Sequence, residues 1–259
     1  MDSKNLIIAN WKLNKLREEV VNFVQNMPNV LKLGETVGVG IAPPLTSLGT
    51  LHRMLQDTPI AVGAQNTHWK DSGAHTGEVS APMLKDAGVE FVIIGHSERR
   101  SDNNESNDVI KLKVDSVLKN GLQAILCIGE SLEEYEQGKT EEVIKNQLVE
   151  CLPEGSEDLL SLVIAYEPVW AIGSGKMPTP EEIQKVHKFI RKTLINFYDS
   201  DHRIELIPIL YGGSVKPENI EVLMAQEDVN GALVGGASLD AESFFSIVSG
   251  AEKAVAKKH

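Results

Sequence analysis

Short, β-rich apolar runs alternate with longer stretches of helical spacing from one end of this chain to the other, and no other feature bounds the fold as tightly. The runs are Leu6–Ala9, Val37–Ala42, Ile60–Ala64, Phe91–Ile94, Ala124–Ile128, Leu162–Tyr166, Glu205–Leu210 and Gly231–Val234. Their near-continuous hydrophobicity marks strands buried on both faces. Between them the spacing predicts helices from about Leu16 to Leu31, through His52 and Met54, from Ala81, from Glu105 to Lys119, from Ser131 to Glu150, from Thr179, and from about Asp240 to Ala256. Thr179-Pro180-Glu181-Glu182 is a strong helix start, with a capping hydroxyl, proline at the first position and acids in the first turn. Parallel neighbours need crossover connections, so strands separated by helices predict a parallel sheet. Eight such units in 259 residues predict an α/β fold with one closed (β/α)8 barrel spanning 1–259. A doubly wound open sheet is the alternative. No linker rich in Pro, Gly or Ser divides the chain.

Composition excludes several function classes. Lys+Arg 25 against Asp+Glu 37 leaves a net charge of −12, which argues against general affinity for nucleic acid or an anionic membrane. The two cysteines, Cys127 and Cys151, form no CxxC and no paired Cys/His spacing, so reduced thiols are expected in place of a disulfide framework. The N-terminus lacks the pattern of a secretory signal, and no apolar run approaches the ~18–20 residues of a membrane span. A soluble, cytoplasmic protein is expected.

The most informative stretch is 162–176. A buried strand, Leu162 to Ala165, runs into the carboxylate Glu167, and Pro168 then bars the ladder from continuing. Trp170 and Ile172 follow on a segment closed by Gly173 and Gly175. Large hydrophobes on a Gly-bounded loop suit a lid that keeps water off a site, with Glu167 beside it as a general base. A strand-end Glu in a salt bridge, with Trp170 as ordinary packing, is the plainer reading of this stretch alone.

In a barrel the residues just after the strands gather at one face. Strand 1 ends Asn10-Trp11-Lys12, strand 4 Gly95-His96-Ser97-Glu98-Arg99-Arg100, strand 6 with Glu167, strand 7 Gly212-Gly213-Ser214 and strand 8 Gly235-Gly236. Glycine pairs beside a hydroxyl let backbone N–H groups approach an anion. Each element has a commoner use, as solvated lysine, structural histidine or turn. Together, base, electrophile and phosphate grip are the parts of a site for proton abstraction beside a carbonyl on a phosphorylated substrate. Competing motifs fail: Gly173-Ser174-Gly175-Lys176 lacks the first glycine and the Ser/Thr of a P-loop, and no His/carboxylate cluster has metal spacing. Glu98 is the only obvious partner for Glu167 in a glycosidase pair, and its basic neighbours favour a salt bridge instead.

Over essentially its whole length the chain resembles the triosephosphate isomerase family. The matching stretches are Ala9-Asn10-Trp11-Lys12, Gly77-Glu78-Val79-Ser80, residues 95–100, Cys127-Ile128-Gly129-Glu130, residues 165–173, Tyr211-Gly212-Gly213-Ser214 and Gly235-Gly236, in that order. The resemblance implies a TIM barrel that interconverts dihydroxyacetone phosphate and D-glyceraldehyde 3-phosphate, in glycolysis and gluconeogenesis, with no cofactor and no metal. It implies Glu167 as base, His96 as the group that polarises the carbonyl, and Lys12 and Asn10 as stabilisers of the enediolate. Gly173, Ser214, Gly235 and Gly236, with Asn10 and Lys12, are the implied substrate contacts, and 168–176 the implied active-site lid. Glu98 is implied as a support, by positioning Lys12, by late proton shuffling or by structure alone, and Cys127 as an inert thiol packed behind Glu167. Thr76, in the 65–80 loop, resembles the residue that reaches a neighbouring subunit, which implies a homodimer through that loop.

Four positions depart from the family pattern. His75 stands where an aromatic is usual at the tip of the 65–80 loop, which points to a weaker or pH-sensitive dimer contact. Ser174 replaces a common threonine, and Met177-Pro178 replaces small residues at the lid's C-terminal hinge, where Pro178 restricts the backbone. Two other classes compare poorly. A phosphate-binding barrel without catalysis is expected to lose Glu167 or His96, and a Schiff-base aldolase needs a lysine in an apolar pocket, whereas Lys12 sits beside polar Asn10.

Overall fold

The computed structural model describes residues 4–28, 36–155, 159–172, 177–199 and 201–258. Eight strands close into one parallel barrel in chain order, β1 (Leu6–Asn10), β2 (Gly38–Ala42), β3 (Ala61–Ala64), β4 (Phe91–Ile94), β5 (Gln123–Ile128), β6 (Leu162–Tyr166), β7 (Ile209–Tyr211) and β8 (Gly231–Val234). The seam is β1 against β8, with Leu6 opposite Gly231. The open-sheet alternative is thereby excluded, and with no edge left exposed the barrel needs none protected.

Alternate residues along each strand face opposite ways. Leu6, Ile8, Phe91, Ile93, Ile125, Cys127, Val163, Leu210 and Leu233 fill the barrel interior. Ile7, Ala9, Val92, Ile94, Leu126 and Ile164 join the shell between barrel and helices. Strands β2 and β3 carry glycine where the Phe91 ring crosses the interior. A Cβ at Gly63 would come within 2.2 Å of that ring and one at Gly40 within 2.6 Å.

The helices are α1 (Arg17–Gln25), α2 (Leu45–Leu55), α3 (Ala81–Asp86), α4 (Ser97–Asp102), α5 (Asn107–Lys119), α6 (Leu132–Glu136), α7 (Thr140–Cys151), α8 (Pro180–Phe197), α9 (Ile220–Met224) and α10 (Ala241–Lys258). Thr179 caps α8 as expected, its Oγ1 accepting from the Glu182 N–H at 3.2 Å while Glu182 Oε2 accepts from the Thr179 N–H.

Four expectations need correction. Helix α1 stops at Gln25 and residues 26–28 are no longer helical, while 29–31 of its expected span lie outside the described residues. The expected strand Glu205–Leu210 is a 3₁₀ turn over His202–Leu206, followed by a strand only from Ile209. There the Asp201 carboxylate accepts from the Arg203 N–H at 2.9 Å and from its guanidinium, closing the turn, and Pro208 has no N–H to give a ladder. The expected Ser131–Glu150 helix is two, α6 and α7, broken at Gly138 with φ of 69°. Helix α10 runs past its expected end near Ala256 to Lys258, with Ala254 and Val255 buried and Lys257 paired with Glu221 at 2.8 Å. His259 lies outside the described residues. No helix is long and apolar enough, among the described residues, to cross a membrane.

Candidate active site

At the carboxyl end of the barrel, β1 places Asn10 at the mouth, and the next turn presents Lys12. Trp11 is fully buried and donates its indole N–H to the Ser238 carbonyl at 3.0 Å, tying this turn to the end of β8. Lys12 has φ of 51°, a left-handed conformation that costs a non-glycine residue ~1–2 kcal/mol. Two bonds hold it there: the Lys12 N–H donates to Asn10 Oδ1 at 3.1 Å, and the Lys12 carbonyl accepts from Gln65 Nε2 at 3.0 Å. The ammonium pairs with Glu98 Oε1 at 2.6 Å. The Glu98 carboxylate thus reaches Lys12 on Oε1 and lies 3.5 Å from His96 Nδ1 on Oε2.

His96 caps α4, as its place in the sequence suggests. Its Nδ1 accepts from the Glu98 N–H at 3.2 Å, and its Nε2 lies 2.8 Å from Glu167 Oε1. Glu167 Oε2 accepts from the Ser97 N–H at 3.0 Å. Two glycines make room for the Glu167 backbone and side chain. A Cβ at Gly129 would lie 1.7 Å from the Glu167 carbonyl oxygen, and one at Gly212 would lie 2.8 Å from Glu167 Cγ.

Burial opposes ionisation of both partners. In His96 it lowers the affinity for a second proton, and the Glu167 carboxylate more than restores it, so the pKa stands above the ordinary imidazole value. That second proton would have to sit on Nδ1, toward which the Glu98 N–H already points. The hydrogen on Nε2 is aimed at Glu167, while Nδ1 faces the Glu98 N–H and, at 3.5 Å, Glu98 Oε2. Burial raises the Glu167 carboxyl, and His96, the Ser97 N–H and Lys12 outweigh it, leaving the pKa below the ordinary value. Cys127 is fully buried, and first burial and then the Glu167 carboxylate push its thiol well up, so it is inert at neutral pH.

Facing these groups is a cavity of about 220 Å³ lined by Asn10, Lys12, His96, Glu167, Ile172 and the glycine turns after β7 and β8. Ser214, Gly235 and Gly236 all lie on that lining. Gly235 packs under Lys12, whose Cε would be 3.4 Å from a Cβ there. Gly173 and Ser174 lie outside the described residues, as does 173–176 of the expected lid. Met177, at the expected hinge, is exposed. Among the described residues, no three His, Cys, Asp or Glu side chains gather as a metal site would require.

Sequence reasoning missed what supports the described part of the expected lid. Glu130, fully buried at the end of β5, accepts on Oε1 from Trp170 Nε1 at 2.8 Å, Tyr166 Oη at 3.1 Å and Thr140 Oγ1 at 3.3 Å. Burial raises its carboxyl pKa, against these donors. A charge directly after an apolar strand was the available signal, the same one that picked out Glu167. The Ser97 N–H was also missed, since a backbone donor carries no side-chain mark.

The 65–80 loop stands beside a second cavity of about 600 Å³, lined in part by Asn10, Lys12, Gln65 and Glu98. Thr76 is exposed on that loop, and Leu13 and Leu45, both on the cavity wall, are 97% and 55% exposed. His75 stacks on His68 with ring centroids 4.2 Å apart, and His68 in turn on Trp69 at 4.0 Å.

Comparison with known proteins follows this geometry closely. The family model described as Triosephosphate isomerase matches residues 5–251. The triosephosphate isomerase of Chlamydia trachomatis serovar D is 47% identical over 248 residues, 95% of this chain and 89% of that one. That of Prosthecochloris aestuarii is 47% identical over 251 residues, covering 96% and 99%. The crystal structure of triosephosphate isomerase from Bartonella henselae superposes with a TM-score of 0.86 at 37% identity, covering 96% of this chain and 99% of that one.

Proposed function

Because the chain belongs to the triosephosphate isomerase family, it is an isomerase that interconverts dihydroxyacetone phosphate and D-glyceraldehyde 3-phosphate, and we propose that Glu167 is its base. The observation that carries the assignment of the base is a buried carboxylate at the wall of the cavity, 2.8 Å from the His96 imidazole. Glu167 takes the proton from the carbon beside the carbonyl, and the C–H electron pair becomes the enediolate double bond. The proton then returns to the neighbouring carbon. To reach substrate, the carboxylate leaves the Ser97 N–H and His96, and loss of those donors raises its basicity at the moment it is needed.

His96 then has its Nε2–H free for the substrate oxygen that becomes negative. Asn10 and Lys12 add a donor and a positive charge at the same end, in a site where few waters compete. Ser214, Gly235 and Gly236, together with Gly173, hold the phosphate through backbone N–H groups and the Ser hydroxyl. The 168–176 segment serves as the lid, with Ile172 at the cavity wall in its described part. Excluding water matters because an exposed enediolate phosphate eliminates phosphate. Glu98 positions Lys12, and Cys127 fills space behind Glu167. Residues 1–259 act as one domain with no cofactor.

A homodimer through the 65–80 loop fits the second cavity. A second copy's loop, with Thr76 at the contact, would cover the exposed Leu13 and Leu45 and brace Asn10 and Lys12. A cytoplasmic location accords with two buried free thiols, and the acidic net charge with the absence of nucleic-acid or membrane partners.

The test is a coupled assay of glyceraldehyde 3-phosphate isomerisation, with no metal or nucleotide added, on wild type and Glu167→Gln. The amide keeps the shape and removes the base, so turnover should fall by at least ~10²–10⁴. Full turnover in the folded variant would remove Glu167 from the role.

A further inference from the structure

In the turn after β8, one peptide is held by two bonds where a single bond would close the turn. The Gly235 carbonyl accepts from the Ser238 N–H at 2.8 Å, as the 3₁₀ turn Gly236–Ser238 requires. It accepts again from the Ser238 hydroxyl at 2.6 Å. Ser238 is itself fixed from the other side. It is fully buried, and its own carbonyl takes the Trp11 indole N–H at 3.0 Å.

A trans peptide points its carbonyl and its N–H in opposite directions. Holding the Gly235 carbonyl inward on Ser238 therefore turns the Gly236 N–H outward, to the side where Gly235, Gly236 and Ala237 line the catalytic cavity. Gly236 is exposed there, and a Cβ on it would meet no atom within 4 Å. Being the first N–H of the turn, it has no acceptor within the turn. Gly235 has no Cβ to favour one rotation of this peptide over another, so the bonds to Ser238 set its ψ of −111°. A second hydrogen bond on the carbonyl also polarises the amide and strengthens its N–H as a donor.

We propose that Ser238 is a positioning residue for the isomerisation, its hydroxyl holding the Gly235–Gly236 peptide with the Gly236 N–H toward the phosphate of the substrate. Ser238 touches neither substrate nor the reacting atoms. The contacts that fix it join the turns after β8 and β1, and none involves Glu167 or 168–176. The proposal rests on the cavity being the isomerase site.

The test compares wild type with Ser238→Ala on substrates with and without phosphate. One neutral hydrogen bond corresponds to about two- to tenfold in an equilibrium constant. In Ser238→Ala, kcat/KM for D-glyceraldehyde 3-phosphate should fall about fivefold, and the inhibition constant of inorganic phosphate should rise about fivefold. D-Glyceraldehyde offers the same carbonyl without the phosphate, so its kcat/KM should change less than about twofold. A residue that only packs the turn would lower both substrates alike. Equal losses on the two substrates, or an unchanged phosphate constant, would overturn the proposal. Glu167→Gln tests the isomerase reading separately. Calorimetric binding of inorganic phosphate judges Ser238 whichever residue is the base: about fivefold weaker binding in Ser238→Ala supports the role, and equal binding removes it.

Discussion

Lowering the pH from 6.5 to 4.5 sets one buried imidazole against the fold. His187, on α8, is fully buried, with Nδ1 3.2 Å from the Asp228 carbonyl and, among the described residues, no hydrogen-bond partner for Nε2. Its ring stands edge-on to Tyr166, centroids 5.9 Å apart. Burial, and then the charge of Arg191, push its pKa down to about 4, against the Asp228 hydrogen bond that raises it. Above the unfolded value of about 6.5 both states hold it neutral, and its full contribution to stability is present. Between 6.5 and 4 the unfolded chain binds a proton that the folded chain refuses, so stability is lost as pH falls. At 1.36 kcal/mol per unit, two units remove about 2.7 kcal/mol. Urea denaturation of wild type and His187→Gln, at equal protein concentration across pH 4.5–7.5, isolates this residue because other titrations are shared. The glutamine amide can still donate to the Asp228 carbonyl and does not titrate. The stability advantage of wild type should therefore shrink by about 2.7 kcal/mol over that window. A difference that stays constant with pH would refute the reasoning, since it would mean His187 titrates alike in both states.

Two further outcomes follow from the site and the second cavity. In Gly212→Ala the new methyl comes 2.8 Å from Glu167 Cγ, and φ at this position is not left-handed, so that contact is the main insult. Steady-state kinetics should show kcat down at least ~10-fold with circular dichroism unchanged, as ångström misplacement of a base commonly costs 10- to 100-fold; unaltered kcat would show that the carboxylate has room to spare. In Thr76→Arg a charge enters the proposed contact of the 65–80 loop, where desolvation without a partner costs several kcal/mol. Sedimentation should shift from a dimer toward a 28.3 kDa species with activity falling alongside, whereas a wild type that already sediments at 28.3 kDa would remove the dimer.

Much of the candidate site was legible because a barrel turns sequence position into spatial position. Residues directly after parallel strands meet at one end, so Asn10, Lys12, His96, Glu167, Ser214, Gly235 and Gly236 could be picked out from strand ends alone, and the cavity contains them all. The reading failed where a local signal was ambiguous. Glu205–Leu210 has the apolar content of a strand, yet the Asp201 side chain and Pro208 turn its first half into a 3₁₀ segment. Ser131–Glu150 reads as one charged helix until Gly138 takes a left-handed φ.

By itself, the chain's order of apolar runs and helical stretches determined the barrel, its core faces and the end at which chemistry gathers. Those depend on periodicity and chain order, which are local properties. Tertiary structure alone decided that Glu130 and Tyr135 grip Trp170 from a loop some forty residues earlier, and that Gly129 and Gly212 leave space for the Glu167 backbone and side chain. It alone set His187 in a place without a partner for Nε2. Such contacts join residues far apart in the chain, and the register of neighbouring strands determines them. No periodicity within one segment can carry that information.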